Sequence, residues 1–252
     1  MRSKIGIKLT RNYSLNFNPK KRGVKKIKFI IIHYTGMKRE SDAIEKLCNS
    51  KSKVSSHYYI KKNGEILSLV PDLYEAWHAG KSKWKNFKSL NKYSLGIEIT
   101  NRGHQHGYQN FSIQQIKSLK KLLRYLINLY NINLKYILGH SDISPDRKKD
   151  PGEKFPWKNL AKNKLCWWHK LHKDKLKKLR NINLSSNKEK VSFIKNLHQI
   201  GYNRITKKMS NSQIRFLVKS FQRRFRQEII NGKIDKECLI ISENLVNQNK
   251  VL

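Results

Sequence analysis

Acidic residues are scarce in this chain. Its 252 residues hold 17 Asp and Glu against 55 Lys and Arg, a formal net charge of +38. Such a surplus ordinarily points to nucleic acid or another polyanion. Here the lysines are spread over the whole length among many Asn and Ile, and no predicted helix carries a basic stripe interleaved with aromatics of the kind that reads bases. A specific nucleic-acid partner is therefore not expected, although a polycation of this charge binds nucleic acid without specificity, in a salt-dependent way. Attraction to an anionic glycan or membrane surface is the form of charge recognition left open. Cysteine is scarce too. Cys48, Cys166 and Cys238 are far apart, odd in number and without Cys-x-x-Cys spacing, which excludes a disulfide framework and a zinc ribbon. Long apolar runs are missing: none approaches the roughly 18 residues of a membrane span. The first 23 residues are basic but lack the roughly 7 to 15 consecutive apolar residues of a secretory signal.

What is present begins with Lys28 to Tyr34, an unbroken β-branched run that predicts a strand buried on both faces and ending near His33. A short helix is predicted over Asp42 to Cys48, capped by Ser41. His57 to Ile60 and Glu65 to Leu69 bracket a turn at Gly64 and predict a hairpin. The segment from Pro71 to Asn91 reads as a long loop carrying Trp77, His78 and Trp84, and a loop of that length is usually functional. Ser94 to Asn101 predicts a further strand, Gln114 to Tyr130 an amphipathic helix started by Ser112, and Lys135 to Leu138 the last strand. Beyond about Leu160 the apolar residues recur at helical spacing, which predicts a basic linker (164–187) with its helix over Lys164 to Leu184, and a small helical module over 188–252.

The chemistry gathers at the strand ends. His33 and His140 each directly follow an apolar strand, and Asp150 closes the polar loop after His140. Two histidines and a carboxylate are a usual ligand set for a catalytic zinc, and the ends of neighbouring strands can bring them together. Hydrogen-bonded surface histidines are the plainer alternative. Glu98 lies inside the apolar strand Leu95 to Ile99, where it either faces solvent by alternation or serves as general base on the same sheet face as the ligands. Lys148, two residues before Asp150, is either a cation for a developing oxyanion or one more solvated lysine.

Taken in order, Ile-Ile-His-Tyr-Thr (31–35), Val-Ser-Ser-His-Tyr-Tyr-Ile (54–60), Ala-Trp-His-Ala-Gly (76–80), Leu-Gly-Ile-Glu-Ile-Thr-Asn (95–101), Gly-His-Ser-Asp-Ile-Ser-Pro (139–145) and Arg-Lys-Lys-Asp-Pro-Gly (147–152) resemble the zinc-dependent type 2 N-acetylmuramoyl-L-alanine amidases. These share a fold with the peptidoglycan recognition proteins. The resemblance implies zinc held by His33, His140 and Asp150, with Glu98 as the catalytic carboxylate and Lys148 as the transition-state cation. It implies Trp77, His78, Asn101 and Arg147 as residues of the substrate cleft. Asp142 is expected to be a structural loop residue rather than a fourth ligand. The C-terminal segments Leu197 to Tyr202 and Val218 to Phe225, followed by Asn231 to Asp235, resemble a three-helix peptidoglycan-binding module, and a purely structural helical cap is the alternative.

The expectation is therefore an α/β domain (28–163) with a central mixed sheet flanked by helices, preceded by a basic leader (1–27) and followed by the linker and an all-α module. The implied reaction is hydrolysis of the bond between N-acetylmuramic acid and L-alanine, in peptidoglycan or in anhydro-muropeptides. Its rival is a recognition protein that binds the same material without cleaving it. A wall-binding appendage favours the cell envelope, whereas the lack of a recognisable signal favours the cytoplasm.

Overall fold

A computed structural model describes residues 13–203 and 210–250. The strands are β1 (Phe17–Asn18), β2 (Phe29–Tyr34), β3 (Tyr58–Ile60), β4 (Ile66–Ser68), β5 (Glu75–Ala76), β6 (Lys83–Trp84), β7 (Phe87–Lys88), β8 (Ser94–Ile99) and β9 (Ile137–Gly139). The helices are α1 (Glu40–Cys48), α2 (Ile113–Tyr130), α3 (His140–Ile143), α4 (Trp157–Lys162), α5 (Lys173–Leu179), α6 (Asn187–Ile200), α7 (Asn211–Phe225) and α8 (Lys236–Lys250).

The central sheet has the order β4-β3-β8-β2-β9, with β3, β8, β2 and β9 parallel and β4 antiparallel at one edge. This is the mixed sheet with helices on both faces that the sequence predicts. Alternation along β2 assigns its two faces. Ile30 and Ile32 join Leu95, Ile97, Ile99 and Ile137 under α2, whose Leu119, Leu122, Leu123 and Leu126 close that core. Phe29 and Ile31 point the other way, with Leu138, into a core completed by Phe193 and Leu197 of α6, Phe221 and Phe225 of α7, and Ile241 and Leu245 of α8. Each such side chain contributes about 1.5–3 kcal/mol by leaving water. The C-terminal helices therefore pack directly on the sheet. On the same face α1 covers β3 and β4 through Ala43 and Leu47 against Tyr59 and Leu67.

Several boundaries differ from those expected. Helix α1 begins at Glu40 with Arg39 at its N-cap, where no side chain caps it, so Ser41 is not the cap. Strand β9 starts two residues late, because Leu134–Tyr136 form a 3-10 turn after Asn133, whose side chain accepts the Lys135 N–H at 2.9 Å. The long loop holds β5, which pairs with β1, and a β6–β7 hairpin. The basic linker helix is confined to Lys173–Leu179. Lys164 takes a left-handed conformation (φ 56°) that ends α4, and the Trp167 N–H bonds the Leu134 carbonyl, so 164–172 runs as non-helical chain along the domain. Among the described residues no helix is long and apolar enough to cross a membrane.

Candidate active site

Parallel strands place their C-terminal ends on one edge of the sheet, and that edge carries the polar cluster. His33 is the fifth residue of β2, and Glu98 of β8 is its direct partner in register, so the two side chains share a face. His140 opens α3 immediately after β9. Asp150 is brought back to it by a loop whose return is tight: the Asp150 carbonyl accepts the Ser141 N–H at 2.8 Å. A Cβ on Gly139 would lie 2.7 Å from Pro151 Cδ, so only glycine lets the loop come this close.

The outcome is a triangle of electron-pair donors. His33 Nδ1 lies 2.9 Å from His140 Nδ1 and 3.0 Å from Asp150 Oδ2, and His140 Nδ1 lies 3.0 Å from the same oxygen. All three residues are buried. Their protonation is dictated from behind. Ser94 Oγ–H donates to the Leu90 carbonyl (2.7 Å), which can only accept, so Ser94 Oγ receives the His78 Nε2–H (3.1 Å). His78 Nδ1 then accepts the His33 Nε2–H (3.0 Å), which leaves the His33 Nδ1 lone pair facing the triangle. His140 donates its Nε2–H to the Ala79 carbonyl (3.2 Å) and likewise presents Nδ1. Hydrogen-bonded outer partners of this kind fix the tautomer and orientation of metal-binding histidines. Two imidazoles and one carboxylate, with no hydrogen between them, are the donor set of a zinc ion with one position left for water or substrate. Bonds of about 2.0–2.1 Å would set neighbouring ligand atoms about 3.3 Å apart, close to the spacing present.

The electrostatics agree with that reading. Burial first, and then the neighbouring His140, lower the His33 pKa from 6.5 to about 4, so the ring is neutral near pH 7. Burial opposes the ionised Asp150 carboxylate, but the two histidines beside it, His140 first and then His33, outweigh burial and hold its pKa well below the usual carboxylate range. Glu98 is pushed up to about 8, mainly by burial and then by Asp150, against the pull of Lys148 and Lys46. Its Oε2 is buried without a hydrogen-bond partner.

A cavity of about 430 Å³ opens beside the triangle, lined by His33, Glu98, His140, Asp150, Lys148, Trp77 and Arg147 among others. It runs between α1, which supplies Lys46 and Leu47, and the loop after β9. His78 lines the same cavity, but it is only 8% exposed and both of its ring nitrogens are engaged, so it backs His33 from behind. Asn101 is buried outside the cavity lining. Its Nδ2–H donates to the Gln109 carbonyl (2.8 Å), and its Oδ1 accepts the Gly103 N–H (3.0 Å), so it staples the loop after β8. Arg147 stays at the rim, where its guanidinium donates to the Lys81 carbonyl at 2.6 Å. The sequence reading missed Lys46 and the rim chain in which Tyr34 Oη and His104 Nδ1 lie 2.8 Å apart and His104 Nε2 reaches Glu153 at 3.1 Å. The Gly-His-Gln-His segment at 103–106 was the available signal for the latter. Asp142 is no ligand, as expected: its carboxylate bonds Gly139, Tyr202 and Arg224.

A family model described as N-acetylmuramoyl-L-alanine amidase matches residues 23–153. The N-acetylmuramoyl-L-alanine amidase AmiD of Escherichia coli (strain K12) is 32% identical over 240 residues, covering 88% of this chain and 83% of that protein. The chain belongs to the N-acetylmuramoyl-L-alanine amidase family. A solved complex of E. coli AmiD with the substrate anhydro-N-acetylmuramic acid-L-Ala-D-gamma-Glu-L-Lys superposes on this amidase with a TM-score of 0.79 at 30% identity, over 92% of this chain and 93% of that one. The E. coli 1,6-anhydro-N-acetylmuramyl-L-alanine amidase AmpD is 39% identical over 105 residues, 42% of this chain and 55% of that protein.

Proposed function

We propose that this amidase hydrolyses the amide joining the lactyl group of N-acetylmuramic acid to the L-alanine of the stem peptide, in peptidoglycan or in 1,6-anhydro-muropeptides, with zinc held by His33, His140 and Asp150. The observation that carries the reading is the meeting of three lone pairs on two imidazoles and a carboxylate beside a buried, unpaired carboxylate oxygen. Zinc bound there supplies Lewis-acid polarisation of the amide carbonyl and lowers the pKa of the attacking water. Glu98 takes a proton from that water and returns it to the leaving amine, a role suited to a carboxylate whose pKa sits close to neutral pH. Lys148 faces the charge that develops on the carbonyl oxygen. Trp77 offers an apolar wall and Arg147 a cation for the acidic stem peptide at the mouth of the cleft. The anhydro-muropeptide in the AmiD complex supports the substrate class. The boundary between a catalytic unit (28–163) and the C-terminal helices (188–252) belongs to the same proposal.

The test is mass spectrometry of products from defined muropeptides and from polymeric wall, with and without chelator. Chelator-sensitive release of a stem peptide beginning at L-alanine is expected. His33→Ala, His140→Ala or Asp150→Ala should abolish zinc retention, and Glu98→Ala should keep zinc while losing about 10²–10⁴ of turnover. Intact substrate despite bound zinc would make the protein a recognition module. The ranking of substrates assigns the setting: preference for polymer fits an envelope enzyme, for which the positive charge supports adhesion to anionic glycan or membrane, and preference for small anhydro-muropeptides fits cytoplasmic recycling.

A further inference from the structure

The turn that presents His140 is only four residues long, and one helical turn does not hold itself in place. It is held from across the molecule. Asp142 Oδ2 accepts the Gly139 N–H (2.8 Å) and Nη1–H of Arg224 (2.9 Å), while Oδ1 accepts the Tyr202 hydroxyl (2.7 Å). The other arm of the Arg224 guanidinium, Nη2–H, donates to the Ile137 carbonyl in β9 (2.9 Å), and its plane lies 4.3 Å over the Trp157 ring. Ser220 Oγ–H donates to the Ser141 carbonyl (2.7 Å). At the far end of the loop, Gln227 Nε2 donates to the carbonyls of Glu153 and Phe155, 2.7 Å each. Both ends of the segment carrying His140 and Asp150 are thus fastened to α7 or the residue pair that follows it.

We propose that the C-terminal helices are a positioning element for the metal centre, in which Tyr202, Ser220 and Arg224 act through Asp142 and the 139–142 turn to fix His140. The inference rests on the zinc amidase reading above and extends it to residues outside the matched family segment. Stability alone is a weak reason for such a network. Asp142, Arg224 and Tyr202 are at most 2% exposed, and a buried ion pair commonly holds a fold together no better than apolar side chains of the same volume. What it adds is direction. Four fixed hydrogen bonds on two adjacent residues orient a ligand that must be placed to a fraction of an ångström, whereas apolar packing would leave the turn free to slide.

Zinc affinity by competition with a chromophoric chelator, and the visible spectrum of the cobalt(II)-substituted full-length protein, test this. Tyr202→Phe removes one hydroxyl, Ser220→Ala another, and Asp142→Asn the charge. Leu245→Ala, in the same helical core but away from the turn, is the control for lost stability. Tyr202→Phe and Asp142→Asn are expected to weaken zinc binding about 10- to 100-fold and to alter the cobalt spectrum. The control should lower the melting temperature at least as much and change neither. Zinc affinities within twofold of the parent and an unchanged spectrum in Tyr202→Phe and Ser220→Ala overturn the proposal, even where Asp142→Asn fails to fold. A parent protein that holds no zinc overturns the underlying reading and this one with it.

Discussion

Glu98 sits one strand away from His33 at the same register, with one oxygen unserved by any protein donor and two lysines pulling against the burial that raises its pKa. Lys148 is assigned a part in the reaction, but Lys46 acts on Glu98 only through its charge, from an exposed position on α1. Lys46→Met should therefore raise the Glu98 pKa and move the acidic limb of the pH–rate profile upward by a fraction of a pH unit, with little change at the plateau. Added salt should shrink the difference, and a profile that does not move would remove Lys46 from the field at Glu98. The same strand explains a contact of His78 that the sequence does not show, the one its ring makes with His33. A Cβ on Gly96 would lie 2.5 Å from His78 Cγ, so this glycine opens the slot that lets the ring turn inward against His33. A histidine in a Trp-His motif on a predicted loop gives no sign of that, because the slot belongs to a strand sixteen residues later.

At the scale of elements, the sequence was most readable where one local rule dominates. The run from Phe29 to Ile32 could only be a strand buried on both faces, and the residue that follows it at a sheet edge had to be His33. Ser112 and Gln115 form the reciprocal cap that starts α2, with the Gln115 N–H donating to Ser112 Oγ at 3.1 Å and the Ser112 N–H to Gln115 Oε1 at 2.9 Å. Ser112→Ala should cost about 1 kcal/mol, within the usual 0.5–2, measured by urea denaturation, and leave zinc affinity untouched because α2 packs on the sheet face opposite His33. Elements decided by distant partners were not readable. Residues 164–172 have helical apolar spacing, yet their backbone follows the edge near Leu134. The family resemblance implies Asn101 as a cleft residue, but its amide is taken by Gln109 and Gly103.

The apolar core on one face of the sheet is shared with the C-terminal helices, so calorimetry of the full chain should give a single transition. Two separated transitions would mean that the helices fold as an independent module. Its stability without metal should depend on pH in both directions. His33 and His57 are lowered from 6.5 to about 4 and about 3, in each case by burial first and then by His140 and Arg22 respectively. His78 is lowered as well, by burial and then His33. Between about pH 4 and 6.5 the unfolded chain binds more protons at these rings than the folded one, so stability falls as the pH drops through that window. Glu98, raised from 4.5 to about 8, binds its proton more tightly in the folded state, so its contribution is lost progressively as the pH rises from about 4.5 to 8; the three rings outweigh it up to about 6.5, and above that its loss dominates. The melting temperature of chelator-treated protein should pass through a maximum near pH 6–7, and a monotonic curve would contradict the burial of one set or the other.

The three cysteines, which form neither a disulfide framework nor a zinc ribbon, acquire a use from where they lie. Cys166 and Cys238 are buried, and burial pushes their thiols up to about 12; Cys48, half-buried at the end of α1 beside Leu47 of the cleft wall, is raised by burial as well but is the most accessible of the three. A thiol-directed fluorophore is expected to mark the native protein at Cys48 first, one residue from the cleft, and all three sites after unfolding. The chain thus carries its own optical reporter for muropeptide entering the cleft, with no engineered residue.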